Sequence, residues 1–171
     1  QIDRTQAPMP GPPPQVNVAG SKNSVLPNGM RVIVVENHKL PVVSVQVRFD
    51  HPPIKQGGIA GYQELVGELL TAGTGHHSKE SLDEAVDSLG AQLNGASDGL
   101  FASSLKKNFP ALMRLVTEVI TTPAFEAEEF EKARTRYASG LKMRPEDPDQ
   151  IAEAVARALT FSKHHPYGEI P

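Results

Sequence analysis

Cysteine is absent from the 171 residues, so neither a disulfide nor a thiolate metal site can be built. Tryptophan is absent too, and aromatic residues make up only 5% of the chain, which leaves the core to aliphatic side chains. No apolar run approaches the roughly 20 residues that a membrane-spanning helix needs. The net charge is only −3, with both signs interspersed. That gives no electrostatic footprint for nucleic acid or an anionic membrane. What is present is the composition of one ordinary globular domain, 39% hydrophobic and 22% charged.

Proline is concentrated at the start. Pro8, Pro10, Pro12, Pro13 and Pro14 preclude regular helix or sheet pairing over residues 1–20, and an extended leader is expected there. Folding starts near Ser24. Val25-Leu26, Pro27-Asn28-Gly29 and Met30 to Glu36 read as strand, tight turn, strand. Val43, Val45, Val47 and Phe49 then alternate with Ser44, Gln46 and Arg48, the period of a half-buried strand.

Helical periodicity begins after the loop His51–Gly58. A helix is expected over about 59–72, with Leu65, Leu69 and Leu70 inward and Gly73 as its stop. Ser78 has the chemistry to cap a second helix over 79–89, whose stripe is Leu82, Ala85, Val86 and Leu89. Strands over 91–96 and 100–106 flank the turn Ser97-Asp98-Gly99. Three helices follow, over about 109–120, 127–143 and 149–161. The first turns Leu112, Leu115, Val116 and Val119 inward. Hairpins with clustered helices predict an α+β fold, an antiparallel sheet covered by helices, rather than a doubly wound one.

Five stretches in this order resemble the N-terminal domain of the M16 metallopeptidases, the group of insulinase, pitrilysin and the mitochondrial processing peptidase. They are Leu26-Pro27-Asn28-Gly29-Met30-Arg31-Val32, continued by Glu36 to Pro41; Gly61 to Thr74; Leu89 to Gly95; Pro123-Ala124-Phe125; and His165-Pro166-Tyr167-Gly168. The likeness runs from residue 22 to the end at Pro171. It implies an M16 peptidase domain over 22–171, truncated before its natural end.

Active members of that family bind one zinc through two His of an H-x-x-E-H helix and a distant Glu, with the motif Glu as base. Placed on the frame ending at Gly73-Thr74, the two His positions fall on Glu64 and Glu68, and the base position on Gly67. The distant Glu falls on Gly140 and a supporting Glu on Ala133. The resemblance therefore implies a non-catalytic member of a metalloendopeptidase family, with no catalytic residue, no metal and no cofactor of its own. Zinc is expected only in an active partner. Glu64 and Glu68, at i and i+4, read as a solvated pair. Gly67 costs about 1 kcal/mol of helix propensity relative to Ala, so close backbone packing is its expected use. His76-His77, His164-His165, His38 and His51 read as loop residues.

In the family, an extended peptide adds to the edge strand that corresponds here to Gln92–Ser97. Substrate binding is therefore expected at Leu93, Asn94, Gly95, Ala96 and Ser97, because backbone pairing does not need zinc. The implied partner is a second M16-type subunit or domain that completes a chamber, in a heterodimer or a longer chain. Two alternatives stand beside this reading. One is an active zinc hydrolase with an altered site of Glu64, Glu68 and a His pair. The other is a structural scaffold subunit, as in a respiratory complex. The proline-rich leader followed by the hairpin resembles bacterial exported members of the family, which implies an exported, periplasmic location.

Overall fold

Strand β5 (Gly99–Leu105) is the middle of the sheet around which the domain is built. It pairs antiparallel with β3 (Val42–Arg48) on one side and with β4 (Gln92–Ala96) on the other. The structure, a computed structural model, describes residues 20–59 and 61–170. The expected leader, Gly20 excepted, lies outside them. The described residues form two units, divided between Leu40 and Pro41.

The first unit is a hairpin. Strand β1 (Ser21–Val25) pairs antiparallel with β2 (Arg31–Val35). Its turn is closed by the Gly29 amide donating to the Leu26 carbonyl at 2.9 Å. Asn28 adds a side-chain bond, its Oδ1 accepting from the Met30 amide at 3.1 Å. The Asn-Gly signal is thus realised, with β1 starting three residues earlier than the expected Ser24.

In the second unit the sheet has a clear inside. Register places Val45 and Leu93 on either side of Ala102, and Val47 and Gly95 on either side of Leu100. Leu100 and Ala102 are buried completely or nearly so. The opposite face is mixed, carrying Val42, Phe101 and Leu105 beside Ser44 and Ser103, whose hydroxyls meet at 3.0 Å. The alternation expected for β3 holds for Val43, Val45 and Val47, which are half-buried. It fails at Phe49, which is 43% exposed. The strand ends at Arg48, so the next residue no longer follows the pleat.

Helices cover the inner face. They are α1 (Tyr62–Leu70), α2 (Lys79–Ser88) and α3 (Phe109–Thr121); α4 (Ala127–Met143) packs on α1, and α5 (Pro148–Phe161) follows it in the chain. Leu70, Leu82, Leu112, Leu115, Val116 and Val119 join Leu100 and Ala102 in one aliphatic core. Each fully buried Leu or Val there contributes about 1.5–3 kcal/mol relative to an exposed one. Ser78 caps α2 as its residue type predicts, its hydroxyl accepting from the Ser81 amide at 3.3 Å. Helix α1 is shorter than expected. Gly61 takes a left-handed φ of 90°, which cannot continue a right-handed helix, so α1 starts after it.

Candidate functional site

Helix α1 lies across the inner face of β4, and two glycines set the distance. A Cβ on Gly67 would stand 3.0 Å from Ala96 Cα and from the Ser97 amide nitrogen. A Cβ on Gly95 would collide with the Gly67 carbonyl oxygen. Gly67 therefore has the packing role that its helix cost implies. Leu93 and Gly95 face the core, while Gln92, Asn94 and Ala96 face outward and are exposed. Leu93 packs against the main cluster, so its backbone, not its side chain, is what it can offer a ligand.

With the order β3-β5-β4, the outer edge of β4 has no partner strand among the described residues. Beside it runs a groove of about 800 Å³, bounded by Gln92 to Gly95, by Glu68 and Thr71 of α1, and by Asp83 and Asp87 of α2. It continues into a second hollow of about 390 Å³ along Gly95, Ala96 and Ser97, walled by Gln63, Glu64 and Glu68. The five residues expected to bind peptide thus line one continuous edge.

Helix α4 packs on α1, but this does not bring all the residues of the zinc frame together. Ala133 is 1% exposed, in a small cluster with Leu69 and Ala72. One turn further along α4, the Arg136 guanidinium forms an ion pair with Glu68. Glu64 and Glu68 are both exposed, as their spacing implies. Gly140 has nothing within 4 Å of where a Cβ would be. These residues do not fit a zinc ion. Glu68 is already paired with a cation, Ala133, Gly140 and Gly67 offer no donor side chain, and among the described residues no three His, Cys, Asp or Glu converge on a metal-sized site.

Arg136 and Tyr137 were not legible as site residues. The available signal is that Arg136 lies three residues after Ala133, which puts it on the same helix face. Tyr137 packs its ring against Gly61, and its buried hydroxyl makes no hydrogen bond of normal geometry among the described residues. Burial first, and the nearby Glu64 carboxylate second, push that phenol above its ordinary pKa of 10.0.

The reading of His77 as a plain loop residue is corrected. Its Nδ1 lies 2.7 Å from the Glu118 carboxylate of α3, and its ring is 32% exposed. The Thr74 hydroxyl also donates to Glu118 and accepts from the amides of His76 and His77, at 3.1 and 2.9 Å. The hydrogen bond from His77, and then that from Thr74, hold the Glu118 carboxyl below the usual carboxylate range. This knot ties the loop after α1 to α3, away from Glu68. Nor is His165 free of neighbours. It stacks on Phe161 at 5.7 Å between ring centroids, and its Nδ1 accepts from the Tyr167 amide at 3.2 Å.

A further cavity of about 390 Å³ opens on the other side of Glu64. Phe161, Tyr167, Gln56, Gln63 and Arg157 are among the residues that line it. Glu169 helps shape it, because its carboxylate accepts from the Gln56 and Gly57 amides at 2.7 and 2.8 Å. Those two bonds keep its pKa below the usual value.

The fold so defined, an antiparallel sheet covered on one face by clustered helices, is that of M16 peptidase domains. It superposes with a TM-score of 0.74 on a crystal structure of a peptidase M16 inactive domain from Pseudomonas fluorescens, at 22% identity over 88% of this chain and 38% of that one. The corresponding values for a protease from Helicobacter pylori are 0.69, 18%, 89% and 38%. In sequence the chain is 24% identical over 148 residues to an uncharacterised zinc protease of Mycobacterium bovis, covering 84% of this chain and 34% of the relative. It is 29% identical over 126 residues to subunit 1 of the mitochondrial cytochrome b-c1 complex of Rattus norvegicus, covering 69% and 25%. No protein-family model matches. The resemblance to the M16 peptidases therefore holds in sequence and in fold, and the chain spans about a third of the length of the zinc protease it matches.

Proposed function

We propose that this chain is a non-catalytic M16-type homologue that binds extended peptides along the outer edge of β4 and works with a catalytic, zinc-bearing partner of the same fold. The observation that carries this reading is the edge of β4, unpaired among the described residues, with its groove, next to a helix whose zinc-frame positions are Glu64, Gly67 and Glu68. A peptide laid antiparallel or parallel to β4 satisfies backbone donors and acceptors that β5 leaves unused. That binding needs no metal. The similarity to a peptidase M16 inactive domain supports the loss of catalysis, and the similarity to a zinc protease supports proteolysis as the setting. The exported, periplasmic location belongs to this same proposal.

The test is photo-cross-linking of a pool of extended peptides to the chain, followed by mapping of the labelled residues. Label concentrated on Leu93 to Ser97 is expected. Label scattered over the surface would remove the peptide role. Metal analysis of the same protein separates off the altered-zinc alternative, which requires stoichiometric zinc that Glu64→Ala releases. The scaffold alternative is favoured by the likeness to a subunit of the cytochrome b-c1 complex. It predicts no peptide labelling at all, and stable assembly with other subunits.

A further inference from the structure

Two consecutive amides in the loop before α1 point at one carboxylate. The Gln56 amide donates to Glu169 Oε2 at 2.7 Å, and the Gly57 amide to Oε1 at 2.8 Å. Gly57 takes a left-handed φ of 57°, and a turn of that kind aims successive N–H groups at one anion. The loop thus offers an anion seat, and a distant side chain of the same chain fills it.

The arm that brings Glu169 there is stiff. The rings of Phe161, His165 and Tyr167 pack on one another, with centroids 5.2 to 5.7 Å apart. Gly168 is buried so near the Ser162 carbonyl oxygen that a Cβ would collide with it. The amides of His165 and Gly168 donate to the carbonyls of Ser162 and His165, at 3.0 and 2.9 Å. The segment after α5 is therefore closed on itself, and Glu169 leaves it for the loop.

From the loop the link continues into α1. Gln56 Oε1 accepts from the Gln63 amide at 3.4 Å, and Gln56 Nε2 donates to Glu64 at 3.5 Å. Gln63 Nε2 donates to the Ile54 carbonyl at 3.1 Å. These bonds fall on the first turn of the helix, where amides lack intrahelical partners. Gln63 and Glu64 are also walls of the hollow along Gly95, Ala96 and Ser97, whereas Glu169 is not. Further along α1, Glu68 pairs with Arg136, and the groove beside Gln92 and Leu93 is bounded without help from Gln63 or Glu64.

We infer that Glu169 is a positioning residue for one end of the peptide edge: seated on the Gln56 and Gly57 amides, it holds the loop that fixes the first turn of α1, and so sets the wall that a peptide meets at Ala96 and Ser97. This inference rests on the peptide-edge reading proposed above. Without the carboxylate the loop loses its two charge-assisted bonds, and Gln63 and Glu64 lose the frame behind them. The far end of the edge, at Gln92 and Leu93, keeps its walls.

The experiment uses the whole 171-residue chain and the variants Glu169→Ala and Glu169→Gln. Hydrogen exchange is expected to run roughly tenfold faster over residues 56–65 in Glu169→Ala, with α3 unchanged. Glu169→Gln, which keeps one oxygen to accept an amide, is expected to fall between parent and Ala, and it carries the test should the Ala variant loosen α3 as well. Photo-cross-linking with the pool of extended peptides is then expected to lose about threefold of its label at Ala96 and Ser97, while label at Gln92 and Leu93 holds. Exchange over 56–65 that matches the parent overturns the positioning role and leaves the edge reading standing. So does faster exchange with label unchanged or lost evenly along the strand, since Glu169 then serves the fold and not that wall. A parent chain that takes no label on β4 overturns both.

Discussion

The carbonyl oxygen of Gly67 lies against Gly95, so close that a Cβ on Gly95 would overlap it. This contact fixes how deeply α1 sits on β4, and therefore the width of the groove that runs past Glu68 and Asn94. Gly67→Ala adds helix propensity of about 1 kcal/mol, yet its methyl meets backbone at 3.0 Å. Overpacking against backbone costs about 1–3 kcal/mol, so a net loss of stability is expected in urea denaturation. Gly95→Ala is expected to lose more, because its Cβ would overlap the Gly67 carbonyl oxygen outright, whereas a Cβ on Gly67 meets its nearest backbone atom at 3.0 Å. A Gly67→Ala protein as stable as the parent, or more so, would show that α1 can lift off the strand at no cost.

The Glu118 knot makes a prediction about acid. Its folded pKa is depressed below the ordinary 4.5, chiefly by the hydrogen bond from His77 and next by that from Thr74. The folded state therefore prefers the ionised carboxylate. The stabilisation is complete above the unfolded pKa and is lost as pH falls from about 4.5 through the lower folded value. Thermal unfolding at pH 7 and at pH 4 should show the parent losing more stability than Glu118→Gln over that interval. Parallel losses in the two proteins would mean that the carboxylate is not engaged.

Tyr137 buries a hydroxyl that makes no hydrogen bond of normal geometry among the described residues, although the Arg144 guanidinium is near enough to hold back the rise in its pKa. An unsatisfied buried polar group costs about 1–3 kcal/mol, whereas its removal without a change of shape is neutral or stabilising. Tyr137→Phe is expected to hold or raise the midpoint of chemical denaturation. A drop of more than about 1 kcal/mol would reveal a bond made by that hydroxyl.

Ser78 is the one side-chain cap of α2, accepting from the Ser81 amide. Ser78→Ala is expected to cost about 1 kcal/mol, and Ser78→Asp to restore most of it. Hydrogen exchange of the first α2 amides would report the same change locally. An unaltered exchange pattern would place the helix start elsewhere.

Much of the fold was legible because local signals agreed with packing. The stripe Leu112, Leu115, Val116, Val119 gave α3 its buried face residue for residue. The span 127–143 gave α4 its bounds. Asn28-Gly29 and Ser97-Asp98-Gly99 gave the two turns, and Ser78 a helix start. What the sequence hid was long-range. No periodicity tells that His77 meets Glu118 across 41 residues, or that Arg136 crosses to Glu68. The same holds for the site. Strand β4 was readable from the expected strand over 91–96, and the role of Gly67 through its poor helix propensity. The aromatic cavity behind Glu64 was not readable, since its walls lie near residues 56 and 161–170 and meet only in the folded chain.

The two hydrogen bonds from Gln56 and Gly57 to Glu169 have a consequence for the order of assembly. They join residues 112 and 113 positions apart, the longest side-chain link among the described residues. Contacts between such distant positions close late, because the chain entropy of a long loop must be overcome first. The core of β5 and α3 can form from residues translated much earlier. On a ribosome emitting roughly 5–20 residues per second, the loop before α1 therefore waits several seconds for its final anchor. Until Glu169 arrives the groove beside β4 is already shaped, while the cavity behind Glu64 still lacks a wall.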